Sequence, residues 1–429
     1  MVFFAGDVSP AEISTVAPDA LVGCAALINY RSKSSTQYEL SYVYEAIMTP
    51  PNVLDPAGQR RQLLNNFICR EAEFRRTIQK REFGVKGFYF CQQNTKTHVC
   101  AHASLRMAIN SDSSPAAPIS NVEINKQLKI TPPFTGLQIG QIAEVIKNNT
   151  KCEPVVIDCS STPKSGVLAI VAAYVQSGAI VLLVFSTQHA TDHVVTVFGH
   201  TRNSDEWHPQ AILGYSGPKT AQYYSNSSWI DHFIIHDDNL GPYYTLSSRA
   251  LEVDPTIAAS QIIAIHPFTA TVRPLYAETL SAILLSSSLK NVIGLGSGNW
   301  FNYITQNNWI YVTRAILIGR VEYQNHLRSS IAHDESKLTE ADIALFDCLP
   351  DYFWMVEFSL PALFTGNRSK LGDVIVSAVD IGNNSMDRVK ALRLPSLVVI
   401  TDPAGPKHYR VSMTSHSPIF VNQPHDHLW

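Results

Sequence analysis

The sequence predicts an α+β protein: a helix that opens on a cysteine, antiparallel strands after it, and a further α/β unit toward the C-terminus. Three observations lead there. Across residues 84–250, helical periodicity comes first and short apolar runs come later, an order that gives α+β rather than a doubly wound sheet. A composition 45% hydrophobic and 16% charged suits packed cores, not disorder. A length of 429 residues exceeds one domain of roughly 100–200 residues, so segments 1–83, 84–255 and 256–429 are expected.

Each element follows in chain order. Ala20–Tyr30 and Tyr38–Ile47 read as strands, Pro50–Pro56 as turns, and Gln59 to about Arg81 as a polar helix. In that helix Arg70, Arg75, Arg76, Lys80 and Arg81 alternate with Glu71, Glu73 and Glu82, which reads as a solvated face. The aromatic run Gly87–Phe90 leads through Gln92-Gln93-Asn94 into a helix from Cys100 to about Ile109, and Ser111–Pro118 is a loop. Gly136–Asn148 carries Leu137, Ile139, Ile142, Val145 and Ile146 at helical spacing. Val167–Phe185 is almost wholly apolar, but Tyr174, Gln176, Ser177 and Gly178 interrupt it. It reads as a buried helix to Gln176, a turn, and a core strand from Ile180, not a membrane span. Strands are expected at His193–Phe198 and Trp229–His236, with a loop through Trp207–Pro218 between them. Beyond residue 260, Thr279–Leu289 and Glu340–Cys348 read as helices. Trp309–Val321, Trp354–Leu360, Val374–Val379 and Leu397–Thr401 read as strands.

The bulk properties exclude several functions. A net charge of −3 offers no field to recruit nucleic acid or an anionic membrane surface. The seven cysteines are odd in number and scattered without a CxxC pair, against a disulfide framework or a zinc ribbon. Cys152 and Cys159 read as buried thiols rather than a redox pair. A reducing compartment fits, and MVFFAGDVSP lacks the basic start of a signal peptide, so a cytoplasmic location is expected. His98 and His102 flank Cys100 at i, i+4, but catalysis uses that cysteine more economically than zinc does. The glycine-rich 294–298 stretch lacks a GK[ST] ending and reads as a loop. The tail with His425 and His427 reads as a terminus rather than a metal site. No cofactor and no metal are expected.

Candidate chemistry lies in three places. Cys100 starts a helix, where the positive end of the dipole favours a thiolate. Thr95-Lys96-Thr97 offers a cap or turn before it, and Gln92, Gln93 and Asn94 bring amide donors six to eight residues upstream. Alone, Cys100 beside alanines reads as a core thiol. His193 opens the strand HVVTVF, which would hold an imidazole rigidly as a general base. Asp237 and Asp238 end the strand FIIH before a turn, placed to accept from the imidazole Nδ1–H and hold its tautomer. Alone, this pair reads as a polar turn or a metal loop.

Taken together, Gln92–Tyr243 resembles papain-like cysteine hydrolases, nearest to the peptidase C39-like branch, through QQN…CAHASL, GLQIGQI, VLLVF, DHVVTVFGH and IIHDDNLGPY. The C-A-H-A-S-L piece also looks like the phytochelatin synthases of the same clan. The resemblance implies a papain-like fold with Cys100 as nucleophile and His193 as base. It implies Asp237 as the orienting acid, with Asp238 as the alternative, and Gln93 as oxyanion donor, with Gln92 or Asn94 as alternatives. It implies an intracellular peptidase or isopeptidase acting on a protein or peptide, and the flanking segments would then recognise that substrate or a partner. Acyl transfer and a catalytically silent binding module remain as alternatives.

Overall fold

The computed structural model describes residues 1–31, 34, 40–50, 52–54, 60–62, 66–94, 99–113, 118–132, 136–188, 192–202, 223–289, 299–306, 310–330, 337–360, 363–364, 370–381, 384–401 and 409–414. Thr95-Lys96-Thr97, His98, the 207–218 loop, the 294–298 glycines and the His425/His427 tail lie outside the described residues. The chain divides into two units: residues 1–161, 179–201 and 232–267, and residues 162–178, 202–231 and 268–429. Residues 1–83, expected as a segment of their own, fall in the first unit.

Unit 1 begins with β1 (Val2–Phe4), β2 (Leu21–Tyr30) and β3 (Leu40–Met48). Two short strands, β4 (Asn52–Leu54) and β5 (Arg60–Gln62), pair with each other. After β6 (Asn66–Ile68) come β7 (Ala72–Ile78) and β8 (Arg81–Phe90). The first sheet runs β1-β2-β3-β8-β7. The polar helix expected over 59–81 is therefore corrected to strands. The reason is period two: on β7 and β8, Phe74, Phe83 and Val85 are buried while Glu73, Arg75, Glu82 and Gly84 are exposed. Gln79 and Lys80 both take positive φ, 47° and 70°, the backbone of a two-residue hairpin turn. Arg75 and Glu82, read as a helix face, form an ion pair of 2.9 Å across this hairpin.

The helices come next: α1 (Cys100–Ser113), α2 (Asn121–Leu128) and α3 (Ile139–Asn149). Ser120 caps α2 by accepting from the Glu123 N–H at 3.2 Å, an interaction worth about 1 kcal/mol. The second sheet uses β9 (Val155–Asp158), β10 (Ile180–Ser186), β11 (His193–Arg202), β13 (Ile230–Asp237), β14 (Gly241–Ser247) and β15 (Ala258–Ile265), in the order β14-β13-β11-β10-β15-β9, with β6 also on β11. A short helix, α5 (Ser248–Val253), joins β14 to β15. α1 lies against β8, β10, α2 and α3. Leu105, Met107 and Ala108 share one buried core with Phe88, Tyr89, Ile142, Leu182 and Phe198. Each large side chain buried there contributes about 1.5–3 kcal/mol relative to exposure, and this packing fixes where α1 starts.

Unit 2 holds α4 (Lys164–Gln176), the helix expected before the Ser177-Gly178 turn. With it are β12 (Tyr223–Ser225), α6 (Pro274–Ile283), α7 (Asn299–Gln306), β16 (Tyr311–Gly319), α8 (Arg320–Ser329), α9 (Glu340–Ala344), β17 (Tyr352–Ser359), β18 (Gly372–Ser377), β19 (Val389–Leu394), β20 (Leu397–Thr401) and β21 (Tyr409–Met413). The sheet runs β12-β16-β17-β18-β19-β20-β21. Among the described strands of this unit only the β12–β16 pair is parallel, so the expected α/β unit is corrected to a mainly antiparallel α+β one. Trp354 faces α4, its ring 5.5 Å from that of Tyr174, while the opposite face of the sheet packs on Tyr323 and Leu327 of α8.

On that second face runs a row of charge. Arg314, Glu357, Asp373 and Arg393 sit directly opposite one another on four successive strands, each at most 2% exposed. Lys370 bonds Glu357 and lies 3.0 Å from His326 Nε2, and Arg393 bonds Asp373. Tyr323 donates to Asp373 at 2.7 Å. Burial pulls Lys370 down to about 8, against the pull of the Glu357 charge.

Candidate active site

Unit 1 brings Cys100, His193 and Asp237 together. Cys100 is the first residue of α1 and half-buried, and His193 opens β11. A hydrogen bond between the Cys100 side chain and the His193 ring helps raise the imidazole. The Cys100 Sγ also lies 4.0 Å from the Asp192 carbonyl oxygen. Asp192 has φ of 54°, a left-handed backbone that non-glycine residues seldom adopt and that Asp tolerates better than most. This kink aims its carbonyl at the sulfur just before the strand begins.

Asp237 ends β13 and accepts from the imidazole at 3.0 Å. The nitrogen it takes is Nε2, not the expected Nδ1, which leaves Nδ1 as the nitrogen for the sulfur. The other Asp237 oxygen, Oδ1, accepts from the Asn239 N–H at 2.8 Å and the Leu240 N–H at 3.1 Å. A carboxylate held this way cannot rotate without losing hydrogen bonds. Burial pushes Asp237 up, but the bond and charge of His193 and the two backbone N–H groups outweigh it and hold it low. Burial pulls His193 down, but the bonds to Asp237 and Cys100 and the charges of Asp237 and Asp238 raise it to about 10. Imidazolium is thus its form at neutral pH.

The supporting residues explain why the three meet. Ser104, one helical turn past Cys100 and fully buried, donates to the Val194 carbonyl at 2.9 Å. That bond ties the helix carrying the sulfur to the strand carrying the imidazole. Phe185, on β10 opposite His193, sets its ring edge-on to the imidazole at 5.7 Å. His236, next to Asp237, sits among the rings of Phe88, Phe90, Phe198 and Tyr243 and is driven down to about 3 by burial. It stays neutral and pins the end of β13. Sequence reading missed these supports. Only Ser104 carried a local signal, its i+4 spacing on the face of Cys100.

The amide candidates separate. Gln92 extends the β3–β8 pairing, its Oε1 accepting from the Val43 N–H at 2.8 Å and its own N–H donating to the Val43 carbonyl. The side chain expected as an alternative oxyanion donor is thus anchored to β3 through its oxygen. Gln93 donates Nε2 to Asn239 Oδ1 at 2.9 Å, beside the Asp237 turn. That bond uses one of the two amide hydrogens and orients the other. Asn94 is half-buried in the same loop. Asp238 is buried, and burial together with the Asp237 charge raises it to about 6, against the opposing charge of His193. His102 is fully buried and its Nε2 pairs with Asn125 Oδ1 at 2.8 Å, so it belongs to the helix packing. All seven cysteines are free thiols, Cys152 and Cys159 buried among them.

Among the described residues no helix is long and apolar enough to cross a membrane. Compared with protein families, with curated proteins and with solved structures, the chain matches none.

Proposed function

We propose that unit 1 is a papain-like cysteine hydrolase that cleaves an amide bond in a protein or peptide through a thioester. The observation that supports this most is the pairing of a helix-initiating cysteine with an imidazole that a second strand clamps through Asp237 at 3.0 Å. The His193 ring already holds the thiol proton as imidazolium, paired with Asp237, and the thiolate attacks the acyl carbon. The negative charge that develops on the carbonyl oxygen is met by the second Gln93 amide hydrogen and the Cys100 N–H at the start of α1. The C–N bond then breaks, and the imidazolium protonates the leaving amine. Water, deprotonated by the same ring, attacks the thioester, and the sulfur leaves as thiolate. Asp237 holds the ring and stabilises its charged form throughout.

The test is an electrophilic probe on the full chain. Iodoacetamide should label Cys100 before the other six cysteines, and Cys100→Ala should abolish turnover of a peptide or isopeptide substrate. Equal turnover in the alanine variant removes Cys100 as nucleophile.

A further inference from the structure

We propose that His193, Asp237 and Asp238 also form a binding site for a divalent transition-metal cation of the zinc class, and that the bound ion, held on Nε2, withdraws the imidazole as proton acceptor for Cys100. One nitrogen and two carboxylate oxygens, one from each residue, lie within 4.8 Å of one another. Ligand atoms about 2.0–2.2 Å from zinc stand roughly 3–4 Å apart, and His193 Nε2 and Asp237 Oδ2 are 3.0 Å apart already. Imidazole with carboxylates is a donor set that zinc and its neighbours accept.

Asp238 supplies an independent reason. It is 2% exposed, and neither of its oxygens meets a donor in hydrogen-bonding geometry, although the backbone N–H groups of Gln93 and of Asp238 itself lie close by. A buried carboxylate without a full partner is costly, and the neighbouring imidazole is already bonded to Asp237. A dication is the partner that suits it. With the ring neutral, two carboxylates cancel the charge of the ion, and the ring proton is released. The frame is set in advance, because Asn239 and Leu240 hold the far oxygen of Asp237 and leave Oδ2 facing inward. Binding needs only these three side chains. The loss of activity that follows rests on the cysteine-hydrolase reading.

The full chain carrying Cys100→Ser is titrated with Zn²⁺ by calorimetry. One site is expected, weakened about tenfold or more when Asp238→Asn is added. An affinity that Asp238→Asn leaves unchanged, or that Cys100→Ser abolishes, overturns the site. Should the asparagine variant fail to fold, Co²⁺ in the unaltered chain decides. Ligand-field bands without a thiolate charge-transfer band support the nitrogen–oxygen site, while a thiolate band or no bands overturn it. Slower iodoacetamide labelling of Cys100 in the presence of Zn²⁺ supports withdrawal of the imidazole. Unchanged labelling despite binding overturns that withdrawal and leaves the hydrolase reading to the Cys100→Ala result.

Discussion

Both units set ionisable side chains on an antiparallel sheet, but they do so at different places. In unit 1 the imidazole and carboxylate sit at strand ends, with side chains 12% and 6% exposed and a half-buried sulfur beside them. In unit 2 the row Arg314–Glu357–Asp373–Arg393 crosses the middle of the strands, at most 2% exposed. Both contain strongly shifted groups, His193 upward and Lys370 downward. A perturbed protonation equilibrium therefore marks burial and neighbouring charge in both units, while access to a reactant distinguishes only the first. The unit 2 row belongs to the framework, where each charge is tolerated because the next one answers it.

The comparison breaks or sharpens on where a substitution is felt. The largest effect is expected in unit 2: Asp373→Ala removes the carboxylate that Arg393 and Tyr323 bond, and chemical denaturation should show a loss of about 3–5 kcal/mol. A loss below about 1 kcal/mol would mean the row is not framework. Next is Gln93→Ala, which should slow turnover by about 10²–10³ through the lost oxyanion donor. Its stability should stay within about 1 kcal/mol of the parent, because the side chain is only half-buried. A variant equally slow but grossly destabilised would erase the distinction between the units. The smallest effect is a pH dependence. Lys370 has a folded value of about 8, below its ordinary 10.5, so the unfolded chain binds more protons between those limits. Its contribution to stability should therefore rise with pH from about 8 to 10.5. Denaturation of Lys370→Met against the parent across that range measures it, and a parent that loses stability relative to the variant would reverse the assignment.

The candidate triad was legible because each member carried a local sign. A cysteine began an apolar helical run, a histidine began an alternating strand, and two aspartates closed another before a turn. Which imidazole nitrogen met the acid was not legible, since ring orientation follows from the placement of whole strands. The β7–β8 hairpin escaped notice because its outward charges repeat like a solvated helix face, and Gln79-Lys80 is not a pair that announces a turn. The charged row of unit 2 was invisible for a different reason. Arg314, Glu357, Asp373 and Arg393 are neighbours only through strand register, which no stretch of sequence contains. β19, β21 and α8 were missed because short or polar elements carry weak periodicity and are fixed by what they pack on.

Ser104 has a mechanical consequence. Its hydroxyl fastens the helix one turn from the sulfur to the backbone one residue from the imidazole. Thermal sway of α1 thus carries both reactive groups in the same direction, and the gap between them is buffered against breathing of the surrounding core.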